Sequence, residues 1–196
     1  MPDAARLTIR ETATLAAVKP GTIEKTVEAK VLRTLAGKPR LKGGAKRYLP
    51  LRAVAYFHAL HAAAITDLPV RHKKASWRKM RRLEPMVLEP VEFSKGAILD
   101  VRALSSDCLQ KAAAYAEARD RHIVSNSDIL GGTPVISGTR LSVYAILGRL
   151  QGGDTIDDLV EDYPDIPREA FEAAHVYAQA HPLRGRPSGR PWRNAA

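Results

Sequence analysis

The first residues with chemistry to offer are cations and hydroxyls at helical spacing. Ile23, Val27, Val31 and Leu35 recur every four positions, which predicts one helix with a buried apolar stripe. Its outer face then presents Thr22, Lys25, Thr26, Ala29, Lys30 and Arg33. Hydroxyls and ammonium groups placed this way touch base edges and neutralise phosphates. Immediately beyond, Lys38, Arg40, Lys42, Lys46 and Arg47 surround Gly43–Gly44, a basic hairpin suited to a phosphate backbone or a minor groove. Catalytic chemistry is not offered. His58, His61, His72, His122, His175 and His181 make no H-E-x-x-H pair, and no Walker or Rossmann glycine pattern follows a strand. A nucleophile elbow, G-x-S-x-G, is also missing. Cys108, the single cysteine, leaves too few thiols for an intramolecular disulfide or a cysteine-based zinc site. Asp154, Asp157, Asp158, Glu161, Asp162 and Asp165 cluster, but on several helix faces, so they read as a solvated surface rather than a metal site. The expectation is a non-enzyme with no catalytic residue, metal or cofactor.

Charge is segregated along the 196 residues. Residues 1–82 hold nineteen Lys/Arg against five Asp/Glu, whereas residues 125–183 hold three against nine. A cation-rich front half fits a polyanion, and an acidic back half would be repelled by one. The two halves are therefore expected to have different partners. Aromatic stacking platforms typical of RNA readers are missing, which favours double-stranded DNA. No run of 18 or more apolar residues is present, so no membrane span is expected, and an N-terminus without an apolar core reads as cytoplasmic.

The elements that must position these residues follow from periodicity and punctuation. A β-like start at 7–11 leads to a helix capped by Thr12 and stopped at Lys19–Pro20. The next helix runs from Pro20 to about Ala36, with Gly37 as its stop. A hairpin with Leu41 and Tyr48–Leu49 flanking Gly43–Gly44 precedes an apolar helix over 51–64, and 70–82 reads as a basic connector. Strands are expected at 84–93 and 96–104, then Ser105–Asp107 starts a helix over 108–120. A short strand at 122–125, a glycine-punctuated turn region at 126–140 and helices at 143–151, 155–163 and 167–181 complete the chain. The fold class is mainly α with small β elements, an N-terminal winged helix-turn-helix followed by a three-helix domain with a short β unit.

Two resemblances attach to these residues. Ala13, Ala17–Val18 and Pro20-Gly21-Thr22-Ile23 resemble the helix-turn-helix signature of MerR-type DNA-binding domains, with Ala17 where the turn usually carries glycine. Gly131–Gly132, Pro134–Val135, Gly138-Thr139-Arg140, Gly152–Gly153 and Tyr163–Pro164 resemble the domain-of-unknown-function family 433 of VapB-like antitoxins. Arg140 reads there as a structural clamp on a local carboxylate or carbonyl. The resemblance implies an antitoxin of a type II toxin–antitoxin system, which represses its own operator and neutralises a PIN-like ribonuclease toxin. PIN-type active sites are rich in carboxylates, so a basic tail with Arg184, Arg186, Arg190, Trp192 and Arg193 suits toxin contact. The same tail also reads as a solubility segment or, through Arg-Gly-Arg-Pro at 184–187, as an AT-hook.

The expected organisation is a DNA-binding domain over 1–82, an antitoxin and dimerisation domain over 83–182, and a basic tail over 183–196, acting as a homodimer. Two other functions stay open on the residues alone. One is a stand-alone MerR-like transcription regulator; the other is a protein-interaction adaptor that binds no DNA.

Overall fold

The chain forms eight α-helices and seven short strands among residues 6–36 and 47–183, the portion that this computed structural model describes. It is mainly α with small β elements. Strand β1 (Arg6–Thr8) runs into α1 (Ile9–Leu15), and α2 (Pro20–Glu28) follows a tight turn. Strands β2 (Leu35–Ala36) and β3 (Arg47–Pro50) pair antiparallel, with Leu35 opposite Tyr48, and β1 pairs with the other edge of β3. Helices α3 (Arg52–Ala62) and α4 (Val70–Met80) come next, then the hairpin of β4 (Pro90–Ser94) and β5 (Ala97–Asp100).

Helix α5 (Val101–His122) is the spine of the molecule: α3 packs on one side of it and α8 on another. A two-stranded ladder of β6 (Ile123–Val124) and β7 (Val135–Ile136) leads into α6 (Val143–Gln151), α7 (Ile156–Asp162) and α8 (Arg168–Ala180). A continuous hydrophobic cluster runs from Leu7 through Phe57 and Leu109 to Phe171 and Ala178. Helix α1 reaches across to α8 and closes the two ends of the chain on each other. Among the described residues no helix is long and apolar enough to cross a membrane.

Several boundaries differ from the sequence expectation, each for a local reason. Thr8, not Thr12, caps α1: its Oγ1 accepts the Glu11 N–H at 3.1 Å while Glu11 Oε2 accepts the Thr8 N–H at 2.7 Å. Thr12 lies inside the helix and is buried. Helix α2 ends at Glu28 instead of about Ala36, because Lys30 takes a left-handed φ of 55° and the Lys30 and Val31 N–H groups return to Val27 and Thr26. Leu35 then becomes a strand residue. It pairs with Tyr48, while Gly37, Leu41 and Gly43–Gly44 of the expected hairpin lie outside the described residues.

The basic connector is a helix, α4, whose Ser76, Trp77 and Met80 turn inward; the Trp77 ring meets Tyr56 at 5.3 Å. Strand β4 starts at Pro90, not at Glu84. Strand β5 stops at Asp100, whose Oδ1 accepts the Ala103 N–H at 2.9 Å and starts α5 seven residues before the expected helix. Ser105 and Ser106 therefore sit inside α5, where Ser106 Oγ donates to the Arg102 carbonyl at 2.6 Å.

Candidate nucleic-acid interface

Helix α1 ends in the same left-handed device as α2. Ala17 takes a φ of 54°, and the N–H groups of Ala17 and Val18 return to the carbonyls of Thr14 and Ala13. The small residues Ala13 and Ala16 are buried and let α2 approach closely, with Ile23 filling the contact. Pro20 occupies the first turn of α2, where its missing N–H costs nothing. A short helix, a four-residue turn and a second short helix therefore pack on each other, and the first of them lies against the three-stranded sheet.

The outer side of α2 is narrower than the sequence implied. Lys25 is exposed and Thr22 half-buried, but Thr26 is only 3% exposed and its Oγ1 donates to the Thr22 carbonyl at 2.7 Å. Thr26 belongs to the inner face, so its expected outward position is corrected. Glu24 and Glu28 are exposed beside Lys25, so the helix itself carries two carboxylates against one ammonium. Lys30 and Arg33 are exposed beyond the helix end, and Arg47 is exposed on β3. Lys38, Arg40, Lys42 and Lys46 lie outside the described residues, as do Arg184, Arg186, Arg190, Trp192 and Arg193.

What α2 lacks, α4 supplies. An open groove of about 480 Å³ runs between the end of α2, strand β2 and helix α4. Lys30 and Arg33 stand on one bank, and Lys74, Arg78 and Arg81 on the other. No carboxylate of the described residues lines it. None of these five cations forms an ion pair among the described residues. At its base the buried Arg52 guanidinium donates to the carbonyls of Met80 (3.0 Å) and Leu83 (2.8 Å), closing the C-terminal end of α4. Trp77 packs beneath the same bank and fixes its roll.

Lys74, Arg78 and Arg81 are the functional candidates that sequence reasoning passed over. Their i, i+4, i+7 spacing, out of phase with Trp77 and Met80, is a helical signal that the high charge of 70–82 obscured.

The acidic half behaves differently. Arg149 Nε meets Asp154 at 2.5 Å and its Nη2 meets Asp162 at 2.6 Å, while Arg168 pairs with Asp157. Asp158 completes a capping box with Thr155, and its carboxyl is held below the ordinary range by the Thr155 N–H and hydroxyl. Glu161 and Asp165 stay exposed and without ion pairs among the described residues. Arg140 is exposed and clamps no carboxylate or carbonyl among the described residues, which corrects its expected structural role. The Gly138 turn that presents it has a φ of 77°, and Thr139 Oγ1 ties the turn by donating to the Ile136 carbonyl at 2.9 Å.

Comparison with known proteins locates this acidic half. Residues 123–178 match the family described as "Protein of unknown function (DUF433)", so a DUF433 domain is present there. An uncharacterized protein y4eO from Sinorhizobium fredii is 44% identical over 103 residues, covering 53% of this chain. The chain spans only 41% of that relative's length. Among solved structures, that of Rv2018 from Mycobacterium tuberculosis aligns over 86% of this chain and 96% of its own, at 17% identity and a TM-score of 0.31. Such a score is too low to support a fold argument.

Proposed function

We propose that this chain binds double-stranded operator DNA through α2 and the α2–α4 groove, as the antitoxin of a type II toxin–antitoxin pair. The observation that carries the DNA reading is the groove itself. Five cations face one open channel with no carboxylate to neutralise them, at the exit of a helix positioned by a tight interhelical turn. Unpaired cations at a surface repel one another, and an incoming phosphate backbone relieves that repulsion while releasing its own condensed counterions.

In this reading the region is a MerR-like winged helix-turn-helix. Helix α2 enters the major groove by its N-terminal turn, with Thr22 and Lys25 nearest the bases and the groove cations on the flanking phosphates. Glu24 and Glu28, exposed on the same helix, suit cytosine amino groups as acceptors. A homodimer would read a near-palindromic site with half-sites one or more helical turns apart, roughly 34 Å per turn. The DUF433 half, together with the basic tail from Arg184 to Arg193, then engages and inhibits a PIN-like ribonuclease toxin. That assignment rests on the family resemblance of the glycine motif and the presence of the DUF433 domain.

Fluorescence anisotropy with a duplex from upstream of the protein's own reading frame tests the DNA reading. The triple charge reversal Lys74→Glu, Arg78→Glu, Arg81→Glu should weaken binding at least a hundredfold while circular dichroism stays unchanged. Retained affinity would overturn the assignment of the groove. For the toxin reading, truncation after Leu183 should restore RNA cleavage by a co-purified PIN-like partner, and undiminished inhibition would contradict the role of the tail.

A further inference from the structure

A second concavity shares no lining residue with the basic groove. It has a volume of about 280 Å³ and lies between α1, β3, the end of α5, β6 and α8. Thr8, Glu11, Tyr48, Arg119, Tyr177 and His181 contribute to its walls. These groups divide into those already satisfied and those still open.

The charged groups are satisfied. Glu11 Oε1 accepts the Tyr115 hydroxyl at 2.7 Å and Arg119 Nη1 at 2.8 Å, and Oε2 accepts the Thr8 N–H at 2.7 Å. Arg119 spends its remaining nitrogens on Asp120 (Nε at 3.0 Å, Nη2 at 2.9 Å) and on the Arg6 carbonyl (Nη2 at 3.1 Å). The guanidinium keeps no free edge for an anion. With Glu11, Asp120 and Arg119 in the wall, its formal charge is negative by one unit.

The open groups are Tyr177 and His181. Tyr177 is only 4% exposed, yet its hydroxyl has no hydrogen-bond partner among the described residues. His181 Nδ1 shares a hydrogen bond with the Tyr177 carbonyl at 3.1 Å, which leaves Nε2 as an acceptor with no partner among the described residues. Burial keeps this imidazole neutral by pushing its pKa down, despite the neighbouring Glu11 carboxylate; Arg10 and Arg119 push in the same direction as burial. The two rings stack with centroids 4.3 Å apart and planes inclined at 25°. A flat aromatic surface thus carries one free acceptor and one free hydroxyl.

We propose that this cavity is a binding site for a small planar molecule, neutral or singly cationic, that bears N–H donors, such as an aromatic amide, amidine or nitrogen heterocycle. The volume suits one or two rings, since a cavity of about 150 Å³ already accepts benzene. Anions are disfavoured by the wall charge and by the engaged guanidinium. An N–H donor satisfies His181 Nε2, and the Tyr177 hydroxyl serves either a donor or an acceptor on the ligand. The occupant touches α1 on one side and α8 on the other, the helices through which the two ends of the chain pack together.

Isothermal titration of the full chain with three isosteric probes, benzamide, benzamidine and benzoate, tests the proposal without any DNA. Its outcome is therefore separable from the operator reading. Benzamide and benzamidine should bind at least tenfold more tightly than benzoate. Tyr177→Phe, which keeps the ring stack, should weaken benzamide at least fivefold. Val124→Phe, which fills the cavity from β6, should abolish binding in a chain whose circular dichroism is unchanged. Benzoate binding as tightly as the amide, no binding by any probe up to about 10 mM, or amide binding indifferent to both substitutions would each overturn the proposal.

Discussion

The basic groove and the acidic α6–α8 region treat charge in opposite ways. In the groove, Lys30, Arg33, Lys74, Arg78 and Arg81 face solvent with no carboxylate of the described residues opposite them. In the acidic region, Arg149 and Arg168 draw Asp154, Asp157 and Asp162 into local ion pairs, and Asp158 is committed to a helix cap. Sequence composition makes both regions look like poles of one charge gradient. Geometry separates them: both arginines of the acidic pole are held in local ion pairs and carboxylates remain in excess there, whereas the five groove cations have no ion pair among the described residues. Unpaired charge points outward to a partner, and paired charge points inward to architecture.

That contrast can be broken or sharpened by substitution. The largest effect should come from the buried pair that ties α1 to α5. Arg119 and Glu11 are almost wholly enclosed, so Arg119→Met leaves a carboxylate buried without its cation and should cost about 3–5 kcal/mol of stability. Urea unfolding monitored by circular dichroism measures it; a loss below about 1 kcal/mol would place this pair with the ornamental surface charges.

Next comes acid. Burial by itself would raise the Glu11 carboxyl, but Arg119, the Thr8 N–H and the Tyr115 hydroxyl outweigh it and hold the pKa below the ordinary value. A depressed carboxylate contributes its full stability above the unfolded-state value, about 4.3, and loses that contribution as pH falls below it towards the folded-state pKa. Unfolding midpoints should therefore drop steeply below that pH in the native chain and less steeply in Glu11→Gln. Parallel curves would contradict the assigned cause.

Smaller effects test each region's own logic. Ala17 pays roughly 1–2 kcal/mol for its left-handed φ, against the extra unfolded-state freedom of glycine, about 0.5–1 kcal/mol. Ala17→Gly should thus stabilise slightly, by about 0.5–1 kcal/mol in thermal unfolding, and a destabilised variant would mean the turn is not strained. Arg149→Ala should lower the melting temperature slightly and leave DNA affinity unchanged, because its charge is already committed to Asp154 and Asp162. A change in DNA affinity would bring the acidic region into the interface and erase the contrast.

Legibility in the sequence followed the same division. The three C-terminal helices were readable nearly to the residue, because Ser142, Thr155 and Pro167 mark their starts and Gly152 and Pro164 their breaks. The ends of α1 and α2 were not. Ala17 and Lys30 each adopt the left-handed conformation that glycine would advertise, so these two helices stop without their usual punctuation. Losing the end of α2 carried Arg33 and Leu35 onto a helix they do not belong to.

Helix α4 was hidden for a different reason. Its buried stripe is only Ser76, Trp77 and Met80, too thin to stand out among seven cations in 70–82. The candidate groove was half visible as a result. Lys30 and Arg33 could be named from the sequence, but the bank that faces them depends on tertiary packing of Trp77 against Tyr56.

The salt dependence of DNA binding tests the central claim most directly. Plotted as log affinity against log salt, the slope counts displaced counterions at about 0.9 per phosphate contact. The triple neutralisation Lys74→Ala, Arg78→Ala, Arg81→Ala should make that slope shallower by up to about 2.7. An unchanged slope, or a native chain whose binding does not respond to salt, would contradict the claim that these open cations hold a phosphate backbone.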